Sequence, residues 1–414
     1  MNTQLKLYDQ NILIDRMPQL LNREQTMDRL TYLPPMPKNV EAIPRHERLH
    51  HMLVLQELHI ASDTELQLSD AIDLIIRGNY RTLDPRLPET WAHISEETDS
   101  VRRPRPPAMS ASMTGPAGTG KTTSIQHKLC SFEQTIMHEK FPGSSRPFKQ
   151  LVYLSVEVPA SGKAKDLAAR LMYEMDRVCG EDRFSSVLSR EAGTSTGRQL
   201  LERWRRAAKS SFLGLLHLDE IQNLFKIPTL ATRRSKKASD DEIPNLAIVE
   251  DETLRALLGF MNGGIPLLIS GTLDGFSALN SRLSTSQRIM FAGRHQLNPY
   301  RTIQDEFYQT LLETLLNYQY VSRRLEYSEA LATLILELTG GIVRMIIALW
   351  FLAHRVAFDR GSGDELRVED FKYAADIYIA PLKSGLDAAR SNDPARMRNF
   401  SDLRATENFF WTPN

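Results

Sequence analysis

GPAGTGKTT, residues 115–123, has the spacing GxxxxGK[ST] of a phosphate-binding loop. Met109 to Thr114 before it lean apolar. From Thr122 to Lys140 the residues Ile125, Leu129, Phe132 and Ile136 recur at helical spacing. The sequence therefore predicts strand, glycine loop, helix, the context such a loop requires. Gly115, Gly118 and Gly120 let the backbone wrap a phosphate chain without Cβ clashes. The stretch Pro116, Ala117, Gly118, Thr119, Gly120, Lys121, Thr122 and Thr123 then faces the nucleotide. Backbone N–H groups and the helix start supply positive potential, Lys121 a mobile cation, and the Thr122 hydroxyl a ligand for Mg²⁺. ATP with Mg²⁺ is the expected ligand.

The rest of the composition sets bounds. A chain of 414 residues holds two or three domains, and 42 % apolar residues support a large core. Lysine plus arginine equals aspartate plus glutamate, at 51 each, so overall charge names no partner. Two cysteines, Cys130 and Cys179, make neither a disulfide framework nor a zinc spacing, and both read as core residues of helices. No basic leader precedes an apolar run, and no stretch approaches the roughly 18 apolar residues of a membrane span. A soluble, cytoplasmic protein without membrane contact is expected.

Residues 1–100 read as a mostly helical N-terminal extension, with amphipathic stretches at Leu13–Leu21, Arg48–His59 and Leu66–Ile76 broken by prolines. It has the spacing of an appendage wrapped on another surface, suited to partner contact. VRRPRPP, residues 101–107, is a basic linker. Residues 101–300 form the expected core. In it, LVYLSVEV (151–158) is a buried parallel strand. The turn after it carries Lys163 and Lys165 at a helix start, facing either solvent or a DNA duplex. RQLLERWRRAAK (198–209) is an amphipathic helix whose Arg198 and Arg205 are candidate phosphate contacts, although a solvated face is the simpler explanation of such a run.

LGLLHLDEIQ (213–222) is the second anchor. An apolar strand ends in Asp219 and Glu220. Following a phosphate-binding loop, this is the Walker B arrangement: Asp219 organises Mg²⁺, and Glu220 orients and deprotonates the attacking water. His217, inside the strand, reads as a packed core histidine. Residues 226–249 mix basic and acidic clusters and read as a surface insertion. IPLLIS (265–270) is a third apolar strand. AAA+ ATPases place a hydroxyl called sensor 1 at its end, and Thr272 is chosen here over Ser270 because ligands bind beyond strand C-termini. Arg282, Arg288 and Arg294 follow. One of them is expected to be an arginine finger on a neighbouring subunit's nucleotide, Arg288 first and Arg294 second. Residues 301–381 read as a helical lid. Arg344, just past Gly340-Gly341, stands where a second sensor contacts nucleotide. The tail, 382–414, ends in ENFFWTPN, either folded back or a docking peptide.

These pieces together resemble the TnsC and TniB group, AAA+ regulators of DNA transposition, with TnsC the closer likeness. IIRGNYRTLDP (75–85), TGGIVRMIIALWFLAHR and AADIYIAPLKSGLDAAR carry the specific part of the resemblance, which spans roughly residues 70–390. It implies an α/β AAA+ P-loop NTPase with a central parallel sheet and a C-terminal helical lid. It further implies a homo-oligomer, ring or helical filament, on double-stranded DNA. Such an assembly links a target selector of the TniQ or TnsD kind to the transposase, with ATP hydrolysis resetting it. Two alternatives stand beside this. A replication initiator or helicase loader shares the core but usually adds a DNA-reading domain, and none is visible after residue 381. A nucleotide-switched signalling scaffold would not bind DNA.

Overall fold

The computed structural model describes residues 8, 10–96, 107–191, 194–226, 247–248, 251–279, 287–361, 363–391, 393–397 and 400. They fall into two compact units. One holds the described residues of Met1–Leu21, Gln67–Thr114 and Thr122–Gln296; the other those of Asn22–Leu66, Gly115–Lys121 and Leu297–Asn414. The first hundred residues are thus divided between two cores and do not form an appendage of their own.

The first unit is built on five parallel strands. Helix α1 (Asp63–Arg81) enters it from Gln67 onward and leads toward β1 (Ser110–Thr114). After β1 come α2 (Lys121–Leu129), β2 (Tyr153–Glu157), α3 (Ala164–Cys179), α4 (Gly197–Ser210), β3 (Leu215–Asp219), α5 (Asp251–Asn262), β4 (Leu267–Gly271) and β5 (Arg294–Gln296). The strand order is β2-β3-β4-β1-β5. Every residue of β1, β3 and β4 is buried; β3 (LLHLD) and β4 (LLISG) accordingly run mostly apolar without strict alternation, whereas β1 (SASMT) alternates small polar with apolar residues. Register sets Glu157 opposite Asp219 and Thr114 opposite Gly271. The chemically equipped strand ends therefore share the carboxyl edge of the sheet, where open α/β sheets bind ligands.

Tyr80, near the end of α1, is fully buried, and its hydroxyl donates to the Phe212 carbonyl at 2.9 Å. Asp73 on the same helix pairs with Lys128 of α2 and with Arg77. The region 67–96 is therefore part of the sheet unit. Helix α2 is shorter than its apolar spacing predicts. It stops at Leu129, and Ile136 lies on a strand, Thr135–His138, paired antiparallel with Phe148–Leu151. Four-residue spacing of apolar groups does not distinguish a continued helix from a helix, a turn and a strand with alternating burial. Cys130, just past the helix, is exposed, whereas Cys179 is buried.

Residues 227–246, most of the expected insertion, lie outside the described residues, as do the linker 101–106, Arg282 and the tail beyond 400. Phe225–Lys226 and Ala247–Ile248 pair as a short antiparallel ribbon at the insertion's base.

The second unit is helical. Helices α6 (Glu306–Asn317), α7 (Glu329–Thr339) and α8 (Val343–Asp359) pack around Tyr308, Tyr318, Trp350 and Phe371, and Met52 and Leu55 from the N-terminal stretch complete this core. Asp305 and Ser328 cap α6 and α7 with their side-chain oxygens. Gly341 makes the turn between α7 and α8. Its φ is 70°, and a Cβ there would lie 1.9 Å from the Tyr300 carbonyl oxygen. Arg48 reaches Asp364 at 2.7 Å and the Tyr320 carbonyl at 3.2 Å, fastening the N-terminal segment to this unit. Among the described residues no single helix is long and apolar enough to cross a membrane; α7 and α8 are apolar as a pair but bend by 113°.

Candidate nucleotide site

The loop Gly115–Lys121 lies in the second unit. Gly118 has φ of 83°, and a Cβ on it would stand 3.0 Å from Ile342 Cγ2 and 3.2 Å from Arg344 Cβ. Its carbonyl accepts the Arg344 backbone N–H at 3.1 Å. Arg344, the expected second sensor, is therefore fixed against the loop by its main chain, with an exposed side chain. Lys121 is only 7 % exposed, and its ammonium donates to the carbonyls of Gly115 and Pro116 at 2.8 and 2.9 Å. Thr119 closes the loop with a bond to the Pro116 carbonyl at 2.9 Å.

The first unit holds a separate group of candidate residues around Asp219. The Thr122 hydroxyl donates to Asp219 Oδ2 at 2.6 Å. Asp219 Oδ1 receives the Ser270 hydroxyl at 2.5 Å and the Glu220 N–H at 2.9 Å. Burial by itself would raise the Asp219 pKa. Its coupling to His217 and the hydrogen bonds from Ser270, Thr122 and Glu220 outweigh that and hold it below the usual carboxylate range. Asp219 is therefore an anion at neutral pH. A hydroxyl and a carboxylate are the hard oxygen donors that Mg²⁺ takes. Among the described residues no cluster of three or more His, Cys, Asp or Glu could hold a metal alone, so the remaining ligands would come from phosphate and water.

Glu220 has φ of 57°, a left-handed conformation that costs a non-glycine residue about 1 kcal/mol or more. Its carboxylate accepts the Gln222 amide, whose oxygen in turn accepts the Thr272 N–H at 3.2 Å. Thr272 itself turns its hydroxyl to Asp274. The strand-end hydroxyl that reaches the acidic pair is Ser270, not Thr272. Thr272 lies just beyond β4, while Ser270, inside it, shares a sheet face with Asp219. His217, fully buried, bridges Ser155 Oγ and Ser270 Oγ, each at 2.8 Å. Burial drives its pKa down to about 4 against the opposing pull of Asp219, so the imidazole is neutral at pH 7.

Ser270, His217 and Gln222 were the site residues that motif spacing did not single out. The period-2 rule held a signal for two of them: His217 and Asp219 must share a face of β3. A polar residue inside an otherwise apolar strand has to find partners there.

The basic candidates separate. Arg288 is exposed, with Asn262 3.2 Å from its guanidinium. Arg294 is half-buried on β5, and that burial lowers its pKa. Lys163 is exposed at the N-cap of α3, Lys165 is half-buried in its first turn, and Arg198 is exposed at the start of α4. Arg205 does not belong with them. Its side chain is 12 % exposed and is paired with Glu96 and Glu202. The amphipathic pattern placed it on the polar face of α4, but that flank is covered by the residues around Glu96.

Residues 107–278 match the profile of the AAA domain. The segment is similar to that family, and its central parallel sheet with flanking helices is consistent with the α/β AAA+ fold. Among curated proteins none matches the sequence. Similar solved structures include Aeropyrum pernix ORC2, determined as ADPNP-ADP complexes, at 17 % identity and a TM-score of 0.39. That match covers 66 % of this chain and 62 % of ORC2, so the chain spans less than two thirds of that relative's length. The Thermotoga maritima RuvB Holliday junction branch migration motor matches at 16 % identity, over 72 % of this chain and 68 % of RuvB, with a TM-score of 0.34.

Proposed function

We propose that this chain is an ATP hydrolase of the TnsC-like kind, which assembles on target DNA in its ATP form and links a target-site selector to the transposase. The observation that carries the catalytic part is the pairing of Thr122 with an ionised Asp219 at the carboxyl edge of the sheet. The transposition part is carried by the sequence resemblance over residues 70–390.

The residues divide the work as follows. Lys121 exchanges its two loop carbonyls for phosphate oxygens. Thr122 and Asp219 would hold Mg²⁺, and Ser270 donates to the Asp219 carboxylate and fixes its orientation. Bound Mg²⁺ would neutralise charge on the phosphate oxygens. Glu220 orients water and takes its proton. Arg288, exposed, would reach the nucleotide of an adjacent copy and make hydrolysis depend on assembly. Lys163, Lys165 and Arg198 supply phosphate contacts that do not read sequence.

Electron microscopy of the protein with short duplex DNA tests this reading, comparing a non-hydrolysable ATP analogue, ADP and no nucleotide. Rings or filaments on DNA with the analogue alone are expected. Protein that binds the analogue yet stays unassembled in all three conditions would instead support a nucleotide-switched scaffold.

A further inference from the structure

Four side chains on one face of the sheet form an unbroken line: Ser155 on β2, His217 on β3, Ser270 on β4 and Asp219 at the end of β3. Cross-strand register explains the first contact, since Ser155 is directly opposite His217. On the other side His217 is paired with Leu268, which puts Ser270 two residues farther along the same face. His217 and Ser270 are 1 % and 0 % exposed, so neither has water as an alternative partner.

The heavy-atom geometry and the donor and acceptor inventory of these groups assign a direction to the line. An ionised carboxylate only accepts, so Ser270 must donate its one hydroxyl proton to Asp219 Oδ1. Ser270 Oγ is then an acceptor toward His217, whose Nε2 must carry the proton. The ring's other nitrogen, Nδ1, lies 2.8 Å from the Ser155 hydroxyl, which donates to it. Each bond runs one way, from Ser155 toward Asp219. With Ser270 giving its proton to Asp219, reversing the bond between Ser270 and His217 would set two acceptors face to face in a buried site.

We propose that His217 is a positioning residue for hydrolysis: by donating from Nε2 to Ser270, it fixes the Ser270 hydroxyl on Asp219 and so presets the carboxylate oxygen that faces Thr122 for Mg²⁺. The proposal rests on the reading that the domain hydrolyses MgATP. It gives a reason for a histidine in an apolar strand. A leucine would pack there but could not orient the serine, and a second serine would not span from β2 to β4. Glutamine is the one uncharged side chain of similar reach that both donates and accepts.

The test compares His217→Leu, His217→Gln and Ser270→Ala with wild type. Hydrolysis is measured against Mg²⁺ concentration, and binding of a fluorescent ATP analogue is measured with EDTA. In His217→Leu the Mg²⁺ concentration for half-maximal rate should rise about tenfold, the worth of roughly one hydrogen bond to a charged group. Ser270→Ala should match it, His217→Gln should stay within about threefold of wild type, and metal-free nucleotide binding should be unchanged in all three. Imidazole ¹⁵N shifts of the wild-type protein should show the neutral Nε2–H tautomer for His217. A His217→Leu variant that binds nucleotide and keeps the wild-type Mg²⁺ dependence overturns the proposal. So does an Nδ1–H tautomer, or a His217→Gln variant as impaired as His217→Leu. A wild-type protein that binds no MgATP is a different failure: it removes the hydrolase reading itself, and the tautomer measurement still reports on the hydrogen-bonded line.

Discussion

Thr122 and Asp219 are 97 positions apart in sequence, and their side chains meet at 2.6 Å. One stands a single residue past the loop lysine, the other at the last position of β3. Replacing Asp219 with Asn keeps the size of the side chain and the Thr122 contact while removing the charge. Mg²⁺-dependent hydrolysis should fall by about two orders of magnitude, equivalent to roughly 3 kcal/mol of barrier. Phosphate release titrated with Mg²⁺ checks this. Activity that survives at ordinary Mg²⁺ would show that the metal is held by other groups.

Ser270 and Thr272 are two residues apart, yet their hydroxyls have different partners: Asp219 for the first, Asp274 for the second. Ser270→Ala should therefore lower hydrolysis by about tenfold or more, as loss of an oriented donor to a charged group does. Thr272→Val should leave turnover within about twofold and cost about 1 kcal/mol of stability, the ordinary effect of a lost local side-chain bond. Steady-state kinetics and urea unfolding on both variants separate the two. Equal kinetic damage would return Thr272 to the catalytic group.

How much of this was legible beforehand follows from the physics of each signal. The loop at 115–123 and the strand ending in Asp219 are local: fixed spacing and an unbroken apolar run suffice to place them. The α/β sheet with helices between its strands followed from the same alternation. What pattern reading missed depends on contacts across the chain. The hydroxyl beside Asp219 is set by strand register between β3 and β4, which no single stretch encodes. Ile136 repeats at helical spacing and still lies on a strand, because a four-residue period tolerates a turn. The division of residues 1–100 is another case. Tyr80 is buried in the sheet unit, bonded to Phe212, and Met52 among the helices of the second unit, and both stretches look alike as amphipathic helices.

Arg205 and Lys163 make a matched pair of predictions. Arg205 is almost enclosed and holds Glu96 and Glu202, which are themselves about a third exposed. Arg205→Ala should destabilise the protein by about 1–2 kcal/mol, less than a fully buried pair would lose, because water screens the carboxylates left behind. It should not alter the salt dependence of DNA binding. Lys163→Ala should do the reverse, leaving stability unchanged and reducing the slope of log affinity against log salt by about 1. Thermal melts and duplex titrations at several salt concentrations decide both. An Arg205 variant with a shallower salt slope would place its guanidinium on phosphate in the assembled state.

His354 gives the helical unit a stability limit in acid. It is fully buried in α8; its Nδ1 donates to the Trp350 carbonyl at 2.8 Å, and its Nε2 accepts the Tyr320 N–H at 3.3 Å. Burial lowers its pKa from 6.5 to about 4, against a smaller upward pull from the Trp350 carbonyl. The folded state thus binds fewer protons than the unfolded chain between those two values, and stability rises with pH across that window. Read downward, stability is intact above pH 6.5 and is lost progressively toward pH 4, by about 3 kcal/mol when complete. Protonating Nε2 also removes the acceptor for Tyr320, leaving two donors face to face. Replacing His354 with Gln keeps one donor and one acceptor without a titrating group. The variant should begin somewhat less stable at pH 7 and lose less on acidification. Urea unfolding of both proteins at pH 7 and pH 5, followed by tryptophan fluorescence, to which Trp350 beside His354 contributes, reads this. Equal acid sensitivity in the variant and the wild type would assign the loss to other groups, His217 of the sheet unit foremost among them.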